Sequence, residues 1–417
     1  MAEEQMREVF RNIRAMYDRN VLLFSRGGLQ RLAEQLEKHR LGELEDGRLH
    51  LIDMKGKEVE IIVEPRPSVT GDRRRRRDLL VKYRDLDAIT DPKQFEPQQP
   101  YLPFKILDPS SPNVSHPLSY KSADVHDSEI YHLLHSAHLK DVDNKRLIDD
   151  ASSNFSLDTL MTTFENKRDI QWKSCSQHEF LVKLLVSKRR LLATAEKVVG
   201  IACGPLTQGS EPFMNSIIQH SLLLTLKQVL SVIKRPAFET IAPDADPVEG
   251  SEPEAGDSSQ KPLLKKVKGF FSKNKSSKPE FDPYPLFTEF QSFLDSTPNS
   301  GPLVKCFSQD PAYSALDKQV LQSMGCTVLD DPRAFLEVDN NTVLVSIAPN
   351  IPVQQIIADI ARPLAIVGWR RLTVEGDPPS PRVNNMLDKE YTVFSLRSHD
   401  CLGGSEFTMY IRKPKEA

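Results

Sequence analysis

Apolar positions recur at helical spacing across 3–18 (EEQMREVFRNIRAMYD), where Met6, Val9, Phe10, Ile13 and Met16 form one stripe and predict an amphipathic helix. A second helix is expected after Gly27-Gly28, with Leu29, Leu32, Leu36 and Leu41 on one face. The period then shortens to two. RLHLIDMKGKEVEIIV (48–63) holds two β-type runs around Lys55-Gly56-Lys57, which predicts a hairpin. Beyond it lie GDRRRRRD (71–78) and the Pro-rich DPKQFEPQQPYLPFKILDPSSPNVSHP (91–117), read as extended linker.

Helical periodicity returns at 124–138, at 156–168, where Ser156 and Asp158 suit a cap, and at 176–195. A strand over 198–203 then enters a glycine-punctuated loop, KVVGIACGPLTQG (197–209), followed by a strongly apolar helix over 212–234. Together they open a βαβ unit. Residues 242–260 are acidic and rich in Pro, Gly and Ser, and 261–279 are strongly basic. Such composition buries too little apolar surface to offset chain entropy, so 242–280 is expected as a disordered insertion. Regular pattern resumes with a helix over 284–295, a strand over 302–307 and a helix over 314–325. Strands at 326–329 and 342–347, a helix at 352–361 and a strand at 364–368 follow. Two alternating runs within 390–413, joined around Gly403-Gly404, predict a terminal hairpin.

This alternation implies an α/β fold: a Rossmann-like, mostly parallel sheet with covering helices, plus a small N-terminal helical and hairpin region. The expected organisation is 1–70 for the N-terminal helices and hairpin and 71–120 for a basic, Pro-rich linker. The α/β domain then occupies 121–417, with the charged insertion at 242–280.

The 417 residues are ample for a large core; 39% are hydrophobic, 27% are charged and the net charge is −3, so no global field points to nucleic acid or a membrane. Cys175, Cys203, Cys306, Cys326 and Cys401 are widely spaced and odd in number, without a CxxC. That argues against a disulfide framework or a structural zinc site and for a reducing, cytoplasmic or nuclear compartment. MAEEQMREVF has no apolar core of a secretory signal, and no run of eighteen apolar residues suggests a membrane span.

The segments IACGPL, the apolar helix carrying Gln219, the strand leading into QDPAY, and MGCTVLDDPRAFLEVDNNTVLVSIAPN resemble the Sensitivity to Red Light Reduced-like (SRR-like) domain family over roughly 171–370. Cys203 and Gly204 match its cysteine-and-glycine loop, Asp310-Pro311 its Asp-Pro, Leu321 and Gly325 its Leu-x-x-x-Gly, and Trp369 its closing tryptophan. Two departures stand out. The loop reads CGPL, with Pro205 and Leu206 where the family carries Leu-Gly, and Ala348-Pro349-Asn350 replaces Pro-His-Cys. Chemistry resting on that histidine is therefore absent at that position. The resemblance implies a regulatory role: the family is associated with light and clock signalling in plants and with cytoskeletal and haem-related effects elsewhere, without a settled catalytic activity.

The glycine loop is open to two readings. As a cradle, Gly200, Cys203 and Gly204 would sit beneath a cofactor, with Gly209 beside them and Asp310 on a ribose; Asn350 would lie at the same carboxyl edge. As a turn, the loop only joins strand to helix. The spacing G-x3-G-x4-G departs from G-x-G-x-x-G, Pro205 removes an N–H, and Glu211 would repel a pyrophosphate. A ligand here is thus expected to be of adenosyl type, and no cofactor is required. Ser210 and Glu211 suit a cap of the following helix, and Asp310-Pro311 a cap of the next. Cys203, at a helix start, is either activated or buried and inert.

His132, His135 and His138 do not converge as zinc ligands. No nucleophile, P-loop, HExxH or EF-hand pattern occurs. Arg73 to Arg77 lack the interleaved aromatics that nucleic-acid stacking uses, which makes nucleic acid an unlikely partner. KPLLKKVKGFFSKNK (261–275) interleaves apolar and Lys positions and suits contact with an anionic surface. The expectation is a regulatory or interaction protein acting through protein partners, with no catalytic residues. The alternative is a methyltransferase-like enzyme holding an adenosyl cofactor at 197–209.

Overall fold

A computed structural model of the chain describes residues 3–44, 47–63, 79–93, 100–107, 156–208, 211–235, 304–347, 349–369, 377, 380–396 and 407–414. The expected helices at 124–138 and 284–295, the charged insertion, Arg73–Arg77, the three histidines, Gly209 and Cys401 lie outside these residues.

The N-terminal region forms as its periodicity predicts. Helix Glu3–Asp18 buries Ile13 and Tyr17, and helix Arg26–Leu41 buries Leu29, Leu32 and Leu36. Gly27 and Gly28 fall inside the first turn of the second helix, because Ser25 caps it by accepting from the Gly28 N–H. Strands β1 (Arg48–Ile52) and β2 (Glu58–Ile62) pair antiparallel, with Gly56 at positive φ in their turn.

Where it is described, the expected linker carries secondary structure. Strands β3 (Leu80–Tyr83) and β4 (Phe104–Leu107) form a second antiparallel pair, and helix Leu86–Ile89 lies between them. Leu102 and Phe104 are fully buried, and Phe104 packs against Phe24 and Tyr83. Pro103 sits ahead of its strand, where a missing N–H costs no ladder bond, and its carbonyl accepts from the Arg84 N–H. Proline content hid β4, while β3 stands directly behind the arginine run.

The remaining strands are β5 (Lys197–Ile201), the two-residue pair β6 (Thr207–Gln208) and β7 (Glu211–Pro212), then β8 (Lys305–Gln309), β9 (Thr327–Val328), β10 (Thr342–Ser346), β11 (Ala365–Trp369), β12 (Tyr391–Leu396) and β13 (Phe407–Arg412). Seven of them make one sheet in the order β12-β13-β11-β10-β5-β8-β9. β9, β8, β5, β10 and β11 are parallel, and β13 runs antiparallel between β11 and β12. Val198 pairs with Cys306 on one side and Val343 on the other. β5 and β10 are near-continuous apolar runs because helices cover both faces of these central strands. The expected mostly parallel sheet, its covering helices and the N-terminal helical and hairpin region are all present.

One face carries helices Leu157–Lys167, Ser176–Ser187, Met214–Ile233 and Ala315–Ser323. The opposite face carries helices Arg333–Glu337, Val353–Ile360 and Pro381–Glu390, together with the N-terminal region. Connections therefore cross on one face in the first half of the sheet and on the other in the second. Met214–Ile233 is long and apolar enough to cross a membrane, yet 83% of its apolar window is buried inside the fold, which is what a core helix requires.

Candidate functional site

β5 ends at Ile201 and the chain turns at once. Ala202 and Gly204 both take positive φ, 55° and 77°. Glycine adopts this without penalty, whereas alanine stores about 1–2 kcal/mol of strain there. The turn is fastened from two elements. The Gly204 N–H donates to Asp310 Oδ2 at 2.7 Å, and the Ala312 N–H donates to Oδ1 at 2.9 Å. From helix Met214–Ile233, the Ser216 hydroxyl faces the Cys203 and Gly204 carbonyls at 2.7 and 2.6 Å. A Cβ at Gly204 would stand 3.2 Å from that hydroxyl, and one at Gly200 would stand 3.1 Å from Cys203 Sγ. The sequence residues Gly200, Cys203, Gly204 and Asp310 thus meet in one tightly packed joint.

Neither neighbouring helix is capped as the sequence suggests. Met214–Ile233 starts after Phe213, which makes no side-chain cap bond, and Ser210 lies outside the described residues. Ser314 caps Ala315–Ser323 in a reciprocal capping box with Asp317, which leaves Asp310 to the glycine loop.

Beneath the joint runs a buried polar chain. His220 Nδ1 lies 2.7 Å from the Ser216 carbonyl, His220 Nε2 2.7 Å from the Tyr313 hydroxyl, and that hydroxyl 2.6 Å from Ser308 Oγ. Burial lowers the His220 pKa to about 4, so the imidazole is neutral, donates through Nδ1–H and accepts the Tyr313 proton at Nε2. Cys203 is not activated by its helix-start position. Burial, then the nearby Asp310 carboxylate, push its thiol well above the ordinary range. Cys306 and Cys326 are buried thiols whose sulfurs lie 3.4 Å apart.

Two further carboxyl groups stand at the carboxyl edge of the sheet. Asp331 Oδ1 accepts from the Tyr83 hydroxyl at 2.6 Å and from Gln309 Nε2 at 2.7 Å, and burial raises its pKa to about 7. Asp377 accepts from the Gln354 N–H at 3.0 and 3.1 Å, and burial raises it to about 8. It thereby receives an N–H of the first turn of helix Val353–Ile360. Asn350 sits on the exposed turn between β10 and that helix. Among the described residues, no three Cys, His, Asp or Glu side chains form a metal-sized group.

Residues 284–368 match the family model of the SRR1 domain. The SRR1 segment takes in β8, β9, β10 and most of β11, with Asp310 and Asn350. It is narrower than the span suggested by the motifs: the glycine loop at 197–209 and Gln219 precede it. No curated protein and no solved structure matches the chain. Inside the SRR1 segment, the Asp-Pro motif acts by gripping the glycine loop of the preceding strand. Asp331, Asp377, Tyr83 and the His220–Tyr313–Ser308 chain are not marked by any spacing, since each polar group meets its partner only through the fold.

Proposed function

We propose that this chain is a regulatory protein that acts inside the cell through protein partners, with its SRR1 segment as part of the scaffold that presents them with a surface. The observation that carries this reading is the state of Asp310. In a doubly wound sheet, the end of the strand beside the first one is where an acidic residue reads a ribose. Here both oxygens of that carboxylate receive N–H groups of the protein itself. The raised thiol of Cys203 and the neutral, enclosed His220 support the same conclusion, since neither is poised for chemistry at neutral pH. The basic 261–275 stretch adds a contact for an anionic surface within this reading.

A methyltransferase-like enzyme with an adenosyl cofactor is the second reading, and the strand order favours it. Placing β9-β8 on one side of β5 and β10-β11 on the other puts a topological switch point between β5 and β10, where open α/β sheets bind ligands. Gln219, on the same helix stripe as Ser216, adds a buried side-chain oxygen without a hydrogen-bond partner among the described residues.

Thermal melting of the full chain with S-adenosylmethionine, S-adenosylhomocysteine and nicotinamide dinucleotides separates the two. A cofactor at a hundred times its Kd stabilises by about 2.7 kcal/mol. The regulatory reading expects no shift that depends on Asp310. A shift that disappears in Asp310→Ala overturns it in favour of the enzyme.

A further inference from the structure

Helix Val353–Ile360 ends against a cleft of about 470 Å3 that opens to solvent at the amino edge of the parallel strands. That volume falls within the roughly 300–1,000 Å3 of small-ligand sites. Four parts of the chain line it: the turn after the first helix, the approach to β10, the end of helix Val353–Ile360 and helix Pro381–Glu390. The glycine loop and Asp310 stand at the opposite, carboxyl edge.

The polar lining is cationic and holds unused donors. Arg362 donates through Nε to Glu390 at 3.0 Å, and through Nη1 to the Ala358 and Ala361 carbonyls at 2.7 and 2.9 Å. Its Nη2 bonds nothing among the described residues. The Nη1 contacts also cover the carbonyl end of the helix, which would otherwise repel an anion. Arg382 is bound to Asp359, and Arg412 donates to Asn340 Oδ1 at 3.2 Å. Three arginines thus face the two carboxylates of Asp359 and Glu390, which leaves one positive charge over. Around it stand the amides of Asn20, Asn340 and Asn385, of which Asn340 Oδ1 alone has a partner among the described residues. Leu22, 41% exposed, Ile360 and Met386 supply an apolar wall.

We propose that this cleft binds the carboxyl end of a polypeptide, an apolar last residue with its free carboxylate, belonging to a partner protein. One net charge and one free guanidinium nitrogen suit a monoanionic carboxylate, whereas a phosphate dianion would leave charge unmatched. An asparagine amide offers a donor and an acceptor, as a peptide group does, so Asn20, Asn340 and Asn385 suit the last peptide units. Leu22, Ile360 and Met386 take the terminal side chain, which is how a mostly apolar pocket with a few placed polar groups selects its ligand. The inference rests on the reading that the chain acts through protein partners, and it gives one such partner a chemistry.

The test is calorimetric titration of the full chain with N-acetylated tripeptides ending in leucine, valine, methionine or phenylalanine, each as free acid and as C-terminal amide. N-acetyl-leucine and inorganic phosphate are titrated alongside, and the series is repeated in Arg362→Gln, Asn385→Ala and Leu22→Ser. At least one free acid is expected to bind, tenfold or more tighter than its amide and tighter than N-acetyl-leucine. Its affinity should fall tenfold or more in Arg362→Gln and several-fold in the other two variants. Asn385 and Leu22 are exposed, so their variants should melt with the parent and decide the matter even where Arg362→Gln fails to fold. No heat with any peptide, or equal binding of acid and amide, overturns the proposal. The protein-partner reading itself fails on a different result, the Asp310-dependent cofactor shift. Binding retained in every folded variant places the peptide elsewhere and also overturns the proposal. Tighter binding of N-acetyl-leucine than of any tripeptide overturns it in favour of a free small carboxylate, and tighter binding of phosphate in favour of a general anion site.

Discussion

Among single residues, Asp377 and Asp331 set the pH response. Both have folded pKa values well above an unfolded carboxyl, at about 8 and about 7, because burial disfavours the charged form. Between the unfolded and folded values the native state binds more protons than the unfolded chain, so stability falls as pH rises. Chemical denaturation at pH 5.5 and pH 8.5 should therefore show the parent losing on the order of 3 kcal/mol more than Asp377→Asn across this window, while His220 and His178, both lowered to about 4, pull the other way equally in both proteins. Asp377→Asn keeps an acceptor for the Gln354 N–H and removes the titration. Its profile should be flatter, and an unchanged slope would show that Asp377 stays ionised in the fold. The glycine loop makes an equally local prediction. Ala202→Gly should raise stability by about 1 kcal/mol by releasing the positive-φ strain, while Gly204→Ala should lower it by about 1–2 kcal/mol at the neighbouring turn position. Equal and small effects at both sites, read from urea melts, would mean that the turn relaxes freely and is not held by Asp310 and Ser216.

At the scale of elements, the Arg382–Asp359 ion pair of the sheet layer fastens the N-terminal helices to it. Arg382, at the start of helix Pro381–Glu390, bonds Asp359 and donates to the Tyr17 and Val21 carbonyls at 2.9 and 3.1 Å, with its guanidinium 4.0 Å from the Tyr17 ring centroid. Asp359 in turn accepts the Leu23 and Phe24 N–H groups at 2.8 and 2.9 Å. Arg382→Met should cost about 3 kcal/mol, because it strands a nearly enclosed carboxylate. Burial already raises the Asp359 pKa against the pull of Arg382, so the loss should shrink as the pH is lowered and the stranded carboxyl protonates. A deficit constant with pH in denaturant titrations would assign it to lost packing alone. Elements also show what periodicity could and could not reveal. Helices Ser176–Ser187 and Met214–Ile233 and strands β5, β10 and β11 were legible because each is an apolar run with clear ends. Helix Pro381–Glu390 was missed although Ser380-Pro381 is a cap followed by proline at the first helical position, because DPPSP around it reads as a loop. Helix Arg333–Glu337 has only five residues and buries Ala334 and Phe335, too little for a period to show. The site was less legible than the fold. Cys203, Gly204 and Asp310 carry a motif, whereas His220, Tyr313 and Ser308 become neighbours only through the fold.

Across the whole molecule, the N-terminal region completes a sheet face instead of standing apart from it. Val199, Ile201, Leu344 and Ile366 of the sheet share one continuous apolar cluster with Ile13, Phe24, Leu29, Leu49, Leu102 and Phe104. Tyr83 stacks edge-on against Phe335 and bonds Asp331, and Arg26 donates to the Val338 and Leu336 carbonyls, so polar fastenings surround the apolar contact. Each fully buried side chain of this size is worth about 1.5–3 kcal/mol in transfer. Removing the N-terminal region would therefore leave this apolar face of the sheet in contact with water. A fragment beginning at residue 156 keeps every strand of the seven-stranded sheet but exposes Phe335, Leu344 and their neighbours. It should bind a hydrophobic dye strongly, aggregate on heating and lack a cooperative melt, while the full chain melts in one transition. Co-expression with a separate 1–107 chain should restore that transition, since the contacts between them are non-covalent. A soluble, cooperatively melting 156–417 fragment would instead show that helices Arg333–Glu337, Val353–Ile360 and Pro381–Glu390 cover the sheet unaided. The N-terminal region would then be an attached module, free to exchange its place with a partner.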